Sequence, residues 1–230
     1  MRRIVAFAIL ALATACRTLP FSDPDLEGEY GLALKKWTRK VALYSGLETR
    51  AFVRVVYLSP DFVTSQALEL SRMRAELPDK AAETLARMRA DYRQPSFFAV
   101  VYIPDKTAND WNEPSSIWRL ALNMGFGEQA PEKVQRFEVP FNAELRALYP
   151  YLDEYSTAYL VRFPDPAPPA STPAGARAAM DHFRPTEVQF VAASALGKML
   201  FRWRLDGGPE EPPSTEPGPE QRPASTPKSP

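Results

Sequence analysis

Residues 97–103 read FFAVVYI, bounded by Gln94-Pro95 on one side and Pro104-Asp105 on the other. A strand with one solvated face alternates apolar and polar residues, whereas a strand covered on both faces does not. The run therefore predicts a central, fully buried strand. Alternation appears on either side of it. In residues 49–58 (TRAFVRVVYL), Ala51, Val53, Val55 and Tyr57 share one face, and Arg50, Phe52, Arg54 and Val56 share the other. At the far end of the domain, Met199, Phe201, Trp203 and Leu205 alternate with Lys198, Leu200, Arg202 and Arg204. The same period of two is read in 34–44, where Trp37, Val41 and Leu43 share a face, at Phe137 and Val139, and in 157–163 and 188–192. Residues 117–122 (IWRLAL) add one more candidate. Gly46, 194–197 and Pro104-Asp105 supply the turns. The fold class this predicts is mainly β, an antiparallel β-sandwich of about seven to eight strands.

A helical insertion at 60–93 interrupts the series between the second and third strands. Ser59-Pro60-Asp61 combines an N-cap, a proline at the first helical position and an acid in the first turn. Val63, Ala67, Leu70 and Arg74 follow at helical spacing. Pro78-Asp79 restarts the pattern, with Ala82, Leu85, Met88 and Tyr92 as its stripe. The outer faces carry Arg72, Arg74, Glu76, Arg87, Arg89 and Arg93, read as a solvated surface, with a basic partner-binding or headgroup surface as the alternative. A shorter helix is expected at 142–148, ended by Pro150.

The chain is rich in proline, 24 against 10 glycines, and the prolines gather in segments without apolar periodicity. Residues 16–30 (RTLPFSDPDLEGE at 17–29) read as a tether whose thirteen quoted residues reach at most ~45 Å when extended. Residues 164–175 (PDPAPPASTPAG) read as a surface loop inside a single domain at 31–205. Residues 206–230 hold no large apolar side chain after Asp206, so burial cannot offset their chain entropy and a disordered tail is expected.

Residues 4–15 (IVAFAILALATA) are uncharged and follow Arg2-Arg3, yet fall short of the ~20 residues that span a bilayer. With small residues before Cys16, residues 1–15 read as a secretory signal peptide. Ala13-Thr14-Ala15-Cys16, with Leu12 upstream, resembles the lipobox of bacterial lipoproteins. The resemblance implies that Cys16 is acylated after the cut, so that the partner of the chain is a membrane. Ala13-x-Ala15 equally fits a plain secretory site cut at the same bond, which would leave a secreted or periplasmic soluble protein. Cys16 is the only cysteine and can form no intramolecular disulfide. Acylation gives an exported chain a reason to keep it. Arg17 and Thr18 are not the aspartate that the resemblance associates with inner-membrane retention, which favours the outer membrane. Beyond residues 1–16, the chain is similar only in general look to envelope lipoproteins without an assigned activity.

Motifs for catalysis are sparse. With Arg2 and Arg3 removed, 26 basic residues face 28 acidic ones in no clustered array, which argues against nucleic acid. His182 is the only histidine, and no GxSxG, HExxH, GxGxxG or P-loop pattern occurs. No cofactor is implied. Carboxylates remain: Asp105, Asp110 and Glu113 surround Trp111 in a proline-punctuated loop, and Asp153-Glu154 lies between Tyr151 and Tyr155. A sugar-binding module needs aromatic platforms and a few polar groups, and a glycosidase needs two carboxylates across the bond. Trp111 is the tryptophan outside the strand patterns, so Trp111, Asp110 and Asn112 are the candidate ligand-binding residues. Three readings follow. The first is a non-enzymatic envelope lipoprotein that binds or scaffolds another envelope component, an envelope protein or a cell-wall glycan. The second is a carbohydrate- or peptidoglycan-binding module. The third is a carboxylate-dependent hydrolase.

Overall fold

The computed structural model describes residues 27–125, 127–138, 140–165, 185–207 and 214–217. The described chain opens with helix α1 (Gly28–Trp37), which hands over directly to β1 (Thr38–Ser45). This corrects two expectations at once, the strand reading of 34–44 and a tether running to residue 30. Tyr30, Leu34 and Trp37 lie at i, i+4 and i+7, and Leu34 and Trp37 are buried, as a helical stripe requires. Trp37 is the last helical residue, so it fits the alternation of the strand beyond it as well.

A turn at Gly46, in the left-handed region at φ 60°, joins β1 to β2 (Glu48–Tyr57). Helices α2 (Pro60–Met73) and α3 (Pro78–Asp91) follow, then β3 (Ser96–Tyr102). The Ser59 hydroxyl caps α2 by accepting from the Phe62 N–H at 3.1 Å. The stripe of α3 is rotated from its expected position: Thr84 and Met88 are buried while Ala82 is exposed. Thr84 turns inward because its hydroxyl donates to Glu76 Oε2 at 2.9 Å, as the Ser71 hydroxyl does at 2.8 Å. These donors at the α2–α3 turn hold the Glu76 carboxyl below its usual range. The arginines outside are engaged too, Arg72 by both oxygens of Glu69 and Arg74 by both oxygens of Glu144.

Next come β4 (Arg119–Asn123), β5 (Glu128–Gln129), β6 (Lys133–Phe137), α4 (Ala143–Leu148) and β7 (Thr157–Arg162). The last strands are β8 (Glu187–Ser194), β9 (Gly197–Arg204) and β10 (Ser214–Pro217). The expected strand through Phe137 stops there, and Val139 lies outside the described residues. Asn142 caps α4, its Oδ1 accepting from the Leu145 N–H at 2.6 Å. The strands make two five-stranded antiparallel sheets, β1-β2-β3-β7-β6 and β10-β9-β8-β4-β5. The fold is thus mainly β, with ten strands among the described residues where seven to eight were expected. One of the additional strands is the two-residue β5, and another is β10.

Strand β10 corrects part of the expected disordered tail. Its backbone pairs with β9 from Ser214 opposite Leu200 to Pro217 opposite Gly197. An edge strand offers unpaired backbone groups to any extended segment, and a proline is tolerated at such an edge. The remainder of the tail from 218, like most of the 164–175 loop, lies outside the described residues.

β3 lies at the centre of its sheet, and six of its seven residues are buried. Its odd residues face the other sheet. Phe97 lies 5.5 Å from Trp203 and 5.0 Å from Phe190 between ring centroids, and Tyr57 lies 5.9 Å from Trp203. Its even residues face the helices and their flanks, Phe98 stacking on Tyr149 at 4.1 Å. Among the described residues, the second sheet is covered on one side only. Val188, Phe190 and Ala192 are buried in β8, whereas Glu187, Gln189 and Val191 are half-exposed. Arg39 is a buried cation on the inner face. Its guanidinium donates to the carbonyls of Arg202, Lys36 and Thr38 at 2.8–2.9 Å and lies 5.6 Å from the Trp203 ring. Burial lowers its pKa to about 10, so it stays charged at neutral pH.

Candidate functional site

The loop from β3 to β4 crosses from one sheet to the other, and its polar residues hold its own shape. Asp105 accepts from the Thr107 N–H at 2.9 Å and the Thr107 hydroxyl at 2.6 Å, which holds its carboxyl below the usual range. Asp110 accepts from the Ser116 hydroxyl at 2.8 Å and the Ile117 N–H at 3.3 Å. The Asn112 side chain donates to Glu113 at 2.6 Å. Asn109 is buried, donating to the Val101 carbonyl at 3.3 Å and the Thr157 hydroxyl at 3.1 Å while accepting from the Tyr159 hydroxyl at 3.0 Å. The Trp118 indole donates to the Ala108 carbonyl at 2.7 Å.

Trp111 is enclosed by this arrangement. It is 3% exposed and stacks on Tyr159 with centroids 5.5 Å apart and an interplanar angle of 19°. Trp118 and Phe190 pack against it at 6.2 Å and 6.3 Å. A sugar-binding platform needs an open ring face. Trp111 has none, Asp110 spends its oxygens within the loop, and Asn112 gives its amide nitrogen to Glu113 while its Oδ1 is buried, so the ligand site expected on Trp111, Asp110 and Asn112 is replaced by a core plug. Cys16 and His182 lie outside the described residues.

An open aromatic surface lies elsewhere, on the face of the first sheet that points away from the second. Because Ala51, Val53, Val55 and Val101 take the inner parity, Phe52, Arg54, Val100 and Tyr102 take the outer one. Helices α2, α3 and α4 sit over Phe98 and Leu160 on that face, around a cavity of their own. Segment 151–156, after α4, borders the other half and leaves a cleft of about 370 Å³. Phe52, Tyr102, Tyr151 and Tyr155 give it aromatic walls, and Thr49, Arg54, Asp153 and Ser156 are its polar lining. Phe52 and Tyr102 lie side by side on adjacent strands, 6.1 Å apart with rings 26° from parallel. Tyr44 extends the row at 5.8 Å from Phe52 and is 51% exposed. The Arg54 guanidinium lies 5.2 Å from the Tyr151 ring.

Asp153 shapes the rim. Its Oδ1 accepts from the Tyr155 and Ser156 N–H groups at 3.0 and 2.8 Å, closing a tight turn that presents Tyr155 outward. Tyr155 is 69% exposed, and its hydroxyl donates to the Glu154 carboxylate, which raises the phenol's pKa. The segment carrying Asp153-Glu154 between two tyrosines was visible in the sequence. Phe52 and Tyr102 were visible only as aromatics on the parity opposite the core. Among the described residues, no three or more His, Cys, Asp or Glu side chains are grouped to hold a metal ion. No helix among them is long and apolar enough to cross a membrane. Comparison with known proteins finds no matching family model, no matching curated relative and no matching solved structure.

Proposed function

We propose that this chain is a bacterial envelope lipoprotein, held at the outer membrane through acylated Cys16, that acts by binding rather than by turnover. Its two sheets form a β-sandwich, with α2 and α3 as the insertion that covers half of the outer face. The observation that carries the binding role is the aromatic cleft: four rings, Tyr155 exposed and Phe52, Tyr102 and Tyr151 half-buried, line one concavity with polar groups at its rim. The anchor rests on residues 1–16. A single thiol behind an uncharged twelve-residue segment suits acylation, and each acyl methylene adds ~0.8 kcal/mol of membrane affinity. Incorporation of a clickable fatty acid by the wild-type chain but not by Cys16→Ser is the expected result. Equal labelling of the two chains would remove the anchor.

The cleft favours the carbohydrate reading over a protein scaffold, because a pyranose presents C–H groups to a ring face and hydroxyls to a polar rim. Peptidoglycan sedimentation and a glycan array test it, with Tyr155→Ala as the control. Tyr155 is 69% exposed, so its truncation should leave the melting temperature unchanged. Losing one stacking ring is expected to weaken binding by about two- to tenfold, the equivalent of ~0.5–1.5 kcal/mol. Binding to neither support, or equal binding by the variant, leaves an envelope protein as the partner to seek.

A further inference from the structure

The aromatic cleft continues past Thr49 toward the hairpin end of the first sheet. In β2, Ala51, Val53 and Val55 are buried on the inner parity, and an unbroken ladder would turn Thr49 inward with them. The register shifts at this point. Leu43 pairs with Ala51 but Tyr44 pairs with Thr49, which leaves Arg50 as an extra residue on β2. A bulge of this kind re-aims the side chain beyond it. Thr49 accordingly lines the outer cleft, directly across the ladder from Tyr44.

Tyr44, Phe52 and Tyr102 thus form a line of rings across β1, β2 and β3, in steps of 5.8 and 6.1 Å. Each step is about the length of one sugar ring. Beside the rings stand the hydroxyls of Tyr44, Thr49 and Tyr102, none of which makes a hydrogen bond to another described residue. The cleft lining carries one cation, Arg54, and one anion, Asp153, among the described residues, so it favours neither sign of charge. Repeating units that each offer an apolar face and hydroxyls at the edge match this alternation of ring and hydroxyl. The ring angles select further. Phe52 and Tyr102 are 26° from parallel, whereas Tyr44 stands at 84° to Phe52. A flat fused-ring ligand cannot lie against both, but a glycan chain can, because each unit turns about its glycosidic bond. We propose that the cleft receives a chain of at least three sugar units laid across β3, β2 and β1, with Tyr44 as the platform for the outermost unit and Thr49 as a hydrogen-bonding partner beside it. The proposal rests on the carbohydrate reading of the cleft and adds the length of the ligand, its direction over the sheet and the residue that receives the third unit.

The probes are β-1,4-linked N-acetylglucosamine oligomers of one to six units, uncharged and close to the glycan repeat of peptidoglycan, titrated into the full chain by calorimetry. Affinity is expected to rise by about two- to tenfold with each unit up to the third and then to level. Tyr44→Ala should erase the gain from the third unit and leave binding of one and two units unchanged. Tyr44→Phe, which keeps the ring, should retain most of that gain. Tyr44 is 51% exposed, so the alanine variant is expected to fold with an unchanged melting temperature. Equal affinity for one and three units overturns the proposal, and so does a Tyr44→Ala effect that is absent at three units or the same at every length. If binding in those cases still depends on Tyr155, the carbohydrate reading of the cleft stands without the extension. Binding of no oligomer by the wild-type chain overturns both.

Discussion

Trp203→Ala is expected to cost about 4 kcal/mol, the middle of the range for removing a large core aromatic. Trp203 is fully buried and touches both sheets: its ring lies 5.9 Å from Tyr57 and 5.5 Å from Phe97. Its indole N–H donates to the Trp37 carbonyl at 2.8 Å, tying the end of α1 to β9. Arg39 lies over the same ring, so truncation also uncovers a buried cation. Domains of ordinary stability hold about 5–15 kcal/mol, so this single change should remove a quarter or more of the total and lower the urea midpoint accordingly. Trp203→Phe separates the contributions. It keeps most of the ring but orphans the Trp37 carbonyl, for an expected loss of about 1–3 kcal/mol. A Trp203→Ala chain within about 1 kcal/mol of wild type would mean that the sheets do not share the core described for them.

The legible parts of this fold were those fixed by neighbouring residues. Alternation in the first half of β2 and along β8 and β9 marks strands because each has one covered face and one that is less so. The unbroken run at β3 marks a strand covered twice, and it lies at the centre of the first sheet. Ser59-Pro60 marks a helix start because the hydroxyl and the fixed proline φ act within one turn. The illegible parts depend on distant partners. α1 is short and amphipathic, and its final residue, Trp37, satisfies two periods at once. β10 has no apolar pattern of its own, since its pairing is decided by the free edge of β9. The aromatic cleft required knowing that helices cover only half of one sheet face, which no local pattern of Phe52 or Tyr102 reveals.

Trp111 illustrates the same limit from the opposite side, and it supplies the second large effect. It sits in an irregular loop, yet Trp111→Ala is expected to destabilise the chain by about 3–5 kcal/mol, because it is 3% exposed against Tyr159, Trp118 and Phe190. The loss should be steepened by the loop itself: Asn109 hydrogen-bonds Val101, Thr157 and Tyr159, so a cavity beneath it loosens contacts to both β3 and β7. Trp111→Phe should behave unlike Trp203→Phe. The Trp111 indole N–H is buried with no acceptor among the described residues, so replacing it removes an unpaired donor and offsets part of the lost volume. Chemical denaturation of the four variants gives the comparison, with Trp203→Phe expected to lose more stability than Trp111→Phe. The reverse order would show that the Trp111 N–H is satisfied and that the loop is held by more than its ring. A binding assay that used Trp111→Ala would report unfolding, whereas Tyr155→Ala, on an exposed rim, reports on the cleft alone.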